Sequence, residues 1–273
     1  MPARLAWNGY GKAAVRLVKV DRPAHALHDL TVEIQLQGSF EPAHAAGDNS
    51  QILPTDTMKN TVYALARRGP VAPPEPFAER LARHFLGACP EARRAVVSVA
   101  VHRWQRAGQA FIQGPAERRL ATATLDEAGV RHESGLDGLG LLKTTDSGFS
   151  NFLRDAYTTL RDTDDRIMAT DVEARWTYAR PPTDYDATWA AARTSVIETF
   201  AQHRSASVQH TLYAMGEAVL DRCQEIGEIR LVLPNRHHLL VDLAPFGLDN
   251  PNEIFVATRE PYGRIEAVIA RQP

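Results

Sequence analysis

A chain of 273 residues with 44% hydrophobic and 23% charged residues is ordinary globular composition, long enough for two domains of average size. Its net charge of −2 comes from scattered basic and acidic residues, so no strong field draws it to nucleic acid or to an anionic membrane. Two cysteines exclude a disulfide framework, no apolar run is long enough to span a bilayer, and neither a leader pattern nor a terminal Ser-Lys-Leu is present, so a cytoplasmic location is expected.

The first predicted element is a strand over residues 13–21, with Val15 and Leu17 on one side. His25 and His28 then form an H-x-x-H in a Pro/Ala-flanked stretch, which reads as a solvated turn rather than a metal site. Residues 29–40 alternate: Leu30, Val32, Ile34 and Leu36 share one face, and Thr31, Glu33, Gln35 and Gln37 the other. That pattern predicts an antiparallel strand with one buried face, closing a hairpin whose loop spans 23–28. After a polar stretch over 41–50, Thr55 or Asp56 is expected to cap a helix over 58–67. Prolines crowd residues 70–76 into a loop, and a helix over 77–86 sets Phe77, Leu81 and Phe85 on one face. Val97, Val99 and Val101 mark a strand over 94–104.

The second half repeats this order. A short strand over 139–143 precedes Thr145-Asp146, and a helix is expected over 150–160. A strand over 167–178, helices over 187–200 and 208–225, and strands over 228–233, 239–243 and 265–269 complete the chain. Thr55-Asp56 followed by Asn60 is echoed by Thr145-Asp146 followed by Asn151. The expectation is an α+β fold of two similar halves, residues 1–136 and 137–273, joined by a glycine-containing link at 135–138. Alternating strands argue against a doubly wound parallel sheet.

Several segments in order resemble the urate oxidase family: Tyr10-Gly11-Lys12, Thr55-Asp56-Thr57-Met58-Lys59-Asn60, Phe149 with Phe152-Leu153-Arg154-Asp155, Asp165-Arg166-Ile167, Ser205-Ala206-Ser207-Val208-Gln209, and Leu233-Pro234-Asn235-Arg236-His237. Each alone is weak, whereas their ordered occurrence across both halves is specific. The resemblance implies the tunnelling fold: two T-fold repeats, each an antiparallel sheet with helices on one face, with paired chains closing a β-barrel tunnel and two barrels stacking into a homotetramer. It implies active sites shared between subunits and oxidation of urate by dioxygen without metal or other cofactor.

Urate is a flat, electron-rich anion. The resemblance gives Phe149 the role of stacking ring and Arg166 that of bidentate cation, with Gln209 and the Val208 backbone pairing the purine edge. Asp56 is to offer its backbone N–H to the opposite edge, and Asn235 with Thr55 to hold dioxygen or water above the ring. Lys12 is to remove a proton through Thr55, with His237 extending the relay, which a lysine can do only in its neutral form. Taken one at a time, these residues fit bland roles: a helix cap at Thr55 and Asp56, a core ring at Phe149, a surface ion pair between Arg166 and its aspartate neighbours. For His238 and Asp242 the structural role leads. Pro54, directly before Thr55, departs from the family pattern and restricts the backbone there. Two rivals remain: another tunnelling-fold enzyme acting on a pterin or purine, such as a cyclohydrolase or aldolase, and a non-catalytic urate-binding protein.

Overall fold

The computed structural model describes residues 3–272, and the chain in it divides into two compact units. One holds the chain up to Gly135 together with Pro182–Asp186; the other holds Leu136–Pro181 and the chain from Ala187 onward. The strand β5 (Gly129–Lys143) runs from the first unit into the second. The glycines at 135–138 therefore lie inside a strand rather than in a loop.

In the first unit the sheet order is β1 (Tyr10–Asp21), β2 (Ala26–Gly38), β3 (Ala92–Ala107), β4 (Ala110–Asp126), then β5. The β1–β2, β2–β3 and β3–β4 pairs are antiparallel. The alternation read in β2 holds, since Leu30, Val32, Ile34 and Leu36 are all buried, and they lie against Val97 and Val99 of β3 in one cluster. The other face is polar; Ser98 Oγ and Thr122 Oγ1 meet across it at 3.0 Å. A short helix α1 (Glu41–Ala45) precedes two longer ones, α2 (Thr55–Arg68) and α3 (Pro74–Ala88). Met58, Val62 and Ala66 of α2 and Phe77, Leu81 and Phe85 of α3 pack onto the apolar face of the sheet. Each large side chain buried in this way contributes about 1.5–3 kcal/mol. Pro74 opens α3 at the first helical position, where its missing N–H costs nothing. The β4 strand was not legible because Gly114 and Pro115 interrupt it; they sit beside a register shift between His102 and Trp104, where a strand tolerates proline.

The second unit has the sheet order β5, β6 (Met168–Tyr178), β7 (Ile226–Arg236), β10 (Gly263–Ala270), with β6–β7 and β7–β10 antiparallel. Helices α4 (Tyr185–Gln202) and α5 (Val208–Arg222) supply Val196, Phe200, Leu212, Met215 and Val219 to a core shared with Val172, Trp176, Ile229 and Leu231. A small pair, β8 (His238–Leu240) and β9 (Phe255–Ala257), stands apart from this sheet. Both cysteines are buried free thiols, and they occupy equivalent places. Each follows the last turn of a core helix and accepts a closing bond on its carbonyl, from the Ala92 N–H at 2.9 Å for Cys89 and the Ile226 N–H at 3.0 Å for Cys223.

Two sequence expectations fail. There is no helix over 150–160. Asn151 adopts a left-handed φ of 56°, Asp162 Oδ1 accepts from the Asn151 N–H, and Asp155 Oδ1 accepts from the Tyr157 N–H. Short polar side chains here satisfy the backbone locally and displace the helical ladder. Secondly, α2 begins at Thr55, with Pro54 at the cap position and no side-chain cap, so neither Thr55 nor Asp56 caps it.

One buried ion pair fixes α3 to its sheet. Glu75, with no exposed surface, accepts from Arg119 at 2.9 and 3.1 Å and from Ser134 Oγ at 2.5 Å. Glu75→Ala is expected to cost about 3 kcal/mol, because it removes the buried acid from a largely buried guanidinium whose other acid, Asp186, is exposed. The measurement is a denaturant melt, where the midpoint should fall and the slope stay constant.

Candidate active site

Of the sequence-selected residues, Lys12, Thr55 and Asp56 belong to the first unit. Lys12 pairs with Ile34, whereas Val15, three residues on, pairs with Val32, two residues back. That extra residue is a β-bulge, and Ala14 within it takes a φ of 55°. The bulge has a direct consequence for chemistry. In an uninterrupted strand Lys12 and Val15 would point to opposite faces; here both share the side of Ile34 and Val32, which carries α2 and α3. Gly11 is required beside it, because a Cβ there would lie 1.8 Å from the Ile34 carbonyl oxygen.

Thr55, half-buried, is the first residue of α2 and Asp56 the second. The first bond of the helix runs from the Met58 N–H to the Pro54 carbonyl at 3.1 Å, so the N–H groups of Thr55, Asp56 and Thr57 have no acceptor within the helix. A helix start of this kind favours an anion. Pro54, at φ −57° and ψ 138°, delivers the chain to it in extended geometry. The Asp56 carboxyl is held below its ordinary value by Lys59 above all, 2.5 Å away, with Asn60 and Lys12 adding smaller effects. Its side chain is thus committed locally, leaving the backbone N–H as what Asp56 can offer a ligand.

Phe149, Arg166, Val208, Gln209, Asn235 and His237 belong to the second unit. The Phe149 and Thr163 backbones exchange bonds at 2.7 and 3.0 Å, and the Arg166 N–H donates to the Ser147 carbonyl at 2.7 Å. The Gly148 N–H donates to the Ser205 carbonyl and the Ser205 N–H to the Asp146 carbonyl, each at 2.8 Å. Three segments are tied together in this way, at 146–149, 163–166 and 205–209. They bring Phe149 and Arg166 to the start of α5. There Ser207 caps by accepting from the His210 N–H at 3.1 Å, and the Val208 and Gln209 N–H groups lack intrahelical acceptors. Val208 is buried, and the Gln209 side chain is exposed.

The Arg166 guanidinium carbon lies 5.1 Å from the centroid of the Phe149 ring, which stacks on Phe152 at 4.9 Å and 9°. Burial pulls the Arg166 guanidinium down from its ordinary value. The bland reading of Arg166 as a surface ion pair is not what the side chains do. Asp165 accepts from Thr145 Oγ1 at 3.0 Å, and Asp162 pairs with Arg154 at 3.1 Å. Among the described residues no acid lies within ion-pair distance of Arg166. A half-buried cation beside an aromatic face, without its own acid, can receive a flat anion.

Asn235 lies near the end of β7, opposite Thr170 on β6 and Gly263 on β10. His237 follows that strand, and its carbonyl accepts the Thr258 N–H at 2.9 Å and hydroxyl at 3.2 Å. Asp242 bonds the Ala244 N–H at 3.0 Å, a turn role, as the sequence suggested. Among the described residues no group of three or more His, Cys, Asp or Glu side chains is placed to hold a metal ion.

A sequence profile of the uricase family matches residues 8–124 and 132–266. The chain belongs to the uricase family. It is 46% identical to the uricase of Arthrobacter globiformis over 98% of this chain and 90% of that one, and 38% identical to that of Aspergillus flavus over 96% and 95%. The crystal structure of the Arthrobacter globiformis enzyme superimposes with a TM-score of 0.96, covering 100% of this chain and 96% of that one. A urate oxidase structure from Bacillus sp. TB-90, 21% identical, shares the fold with a TM-score of 0.85 over 97% of this chain and 100% of that one.

Within this family frame, sequence reading missed the residues that tie the segments around Phe149 and Arg166 together. Ser147 and Ser205 form the bridge that aligns Phe149 with α5. The capping of α5 by Ser207 did have a signal, a serine just before an apolar-periodic run.

Proposed function

We propose that this chain is a urate oxidase that uses no metal or organic cofactor. The reaction takes one urate, one dioxygen and one water to one 5-hydroxyisourate and one hydrogen peroxide. The observation that carries the reading is Arg166: half-buried, beside Phe149, and without an acid of its own. The urate ring stacks on Phe149, and two of its acceptors take the planar fork of Arg166. Gln209 and the Val208 N–H pair one edge, and the Asp56 N–H pairs the other.

Lys12, as the neutral amine, accepts a proton from urate by way of the Thr55 hydroxyl, and His237 extends that path. The doubly deprotonated ring gives up electrons to dioxygen, which leaves as hydrogen peroxide, while water adds its oxygen to the ring carbon. Asn235 and Thr55 hold the oxygen species above the ring plane. The bulge at Ala14, which turns Lys12 toward the face of α2, supports this role.

The chain works as a homotetramer of two stacked dimers, each dimer closing a β-barrel tunnel. The two T-fold repeats, residues 1–136 and 137–273, meet their counterparts across the dimer, so that Thr55 of one chain serves the Arg166 side of its partner. The proposed location is the cytoplasm. No helix among the described residues is long and apolar enough to cross a membrane.

The test is a comparison of urate with xanthine, a purine at a lower oxidation level, under air. Urate is expected to disappear with peroxide release and xanthine to persist. Phe149→Ala and Arg166→Ala are each expected to raise KM for urate about tenfold or more, as lost stacking and a lost charged hydrogen bond would. Tight urate binding without turnover would make the protein a binding module and overturn the enzymatic reading.

A further inference from the structure

Tyr10 lies two residues before Lys12 and on the same face of β1, since it pairs with Leu36 and Lys12 with Ile34. Its hydroxyl accepts the Leu53 N–H at 2.9 Å. Leu53 precedes Pro54, which positions the first turn of α2 and thus Thr55. The same hydroxyl lies 3.8 Å from Cys89 Sγ, and that thiol donates to the Gln51 carbonyl, also at 3.8 Å. One direction of donation satisfies every group: the Leu53 N–H to the Tyr10 oxygen, the Tyr10 O–H to sulfur, and the Cys89 S–H to the Gln51 carbonyl. Both ends of this chain of bonds fall on residues 51–53, the segment that leads into Thr55.

The ring is held independently of the hydroxyl. It meets Phe40 edge-on at 4.8 Å and packs on the core of the first unit. Strand pairing fixes Lys12, and the helix fixes Thr55; Lys19 and Tyr63 join β1 to α2 farther along both elements, and the Tyr10 tie joins them at the Lys12 end, over a gap of 43 residues in sequence. Burial pushes the Tyr10 phenol up to about 12, so the hydroxyl stays protonated and the bonding pattern persists through the neutral and mildly alkaline range.

We infer that Tyr10 is a positioning residue for the proton relay, its hydroxyl clamping the Lys12 strand to the segment that presents Thr55, with Cys89 as the second anchor. This inference rests on the reading of Lys12 and Thr55 as the relay. Relay groups must sit within hydrogen-bond reach of one another, and a displacement near 1 Å can cost about a hundredfold in rate. A substrate held by Phe149 and Arg166 does not feel the loss.

The experiment is a double-mutant cycle on steady-state urate oxidation. Tyr10→Phe keeps the ring and deletes the clamp; kcat is expected to fall about tenfold or more, with KM within about twofold of wild type. Tyr10→Phe combined with Lys12→Met is expected to be no slower than Lys12→Met alone, because the clamp acts through the relay. Cys89→Ala is expected to lower kcat less, and Cys89→Ser, which restores a donor to the Gln51 carbonyl, to recover most of that loss. Leu81→Ala, which weakens the same core without touching the clamp, should lower the melting temperature more than Tyr10→Phe and leave kcat near wild type.

Wild-type kcat in Tyr10→Phe, alongside a dead Lys12→Met, would overturn the inference and leave the relay standing. Multiplicative losses in the double variant would overturn it as well, since Tyr10 would then act independently of Lys12. Full activity in Lys12→Met would remove the relay and the inference together. If Tyr10→Phe does not fold, the Cys89 pair decides: equal kcat in both Cys89 variants and wild type overturns the clamp.

Discussion

Replacing Lys12 by methionine is expected to lower kcat for urate oxidation by on the order of a hundred- to ten-thousandfold and to change KM by about twofold or less. Methionine keeps an unbranched apolar stem and removes the amine, so the bulge and the strand pairing have no reason to change. The role proposed for the amine is proton removal on the way to the transition state, and an interaction made only there shows in kcat. Binding, by contrast, is assigned to Phe149, Arg166 and the start of α5, all in the second unit. Steady-state kinetics on purified Lys12→Met, with urate followed by its ultraviolet absorbance, separates the two. A variant with normal kcat and a raised KM would make Lys12 a binding group.

The second large effect concerns how the site is assembled. Assayed at a urate concentration well below the raised KM of the arginine variant, Thr55→Ala and Arg166→Ala are each expected to show little activity as pure proteins. When the two are unfolded together and refolded, activity is expected to return to about a quarter of a refolded wild-type control. In the proposed two-fold dimer each site would take Thr55 from one chain and Arg166 from the other. Half of randomly formed dimers are mixed, and in each of these one site collects both defects and the other collects none. If both residues came from one chain, every site would carry a defect and mixing would restore nothing. Native mass measurement of the hybrid dimer alongside the assay makes a negative result decisive against the shared site.

Much of the fold was legible because burial on one face writes a period of two into each strand. The sequence 30–36 shows it clearly, and in the structure the four apolar residues of that run face α2 and α3 while the polar ones face away. The long strand β4 was not legible, because Gly114 and Pro115 interrupt it and its partial exposure blurs the alternation. Residues 150–160 misled in the opposite direction. Phe149, Phe152 and Leu153 imitate a helical stripe, but Asn151, Asp155 and Asp162 bond the nearby backbone and no helix forms. Leu153, at 99% exposure, covers nothing within this chain.

The candidate site residues were proposed through family resemblance and not through spacing. What the structure adds is a physical reason for two of them. Nothing in the period of β1 turns Lys12 toward α2; the bulge at Ala14 does. Nothing in Asp162-x-Asp164-Asp165-Arg166 reveals that the arginine is left without an acid; the commitments of Asp162 to Arg154 and of Asp165 to Thr145 do.

The most direct test is the stoichiometry of the reaction by protein dialysed against a strong chelator and shown by elemental analysis to be metal-free. Oxygen uptake, urate loss and peroxide formation, recorded together, are expected to run one to one to one at the undialysed rate. Activity that disappears with the metal and returns on adding copper or iron would contradict the cofactor-free mechanism, and an absence of urate consumption in both preparations would contradict the function itself.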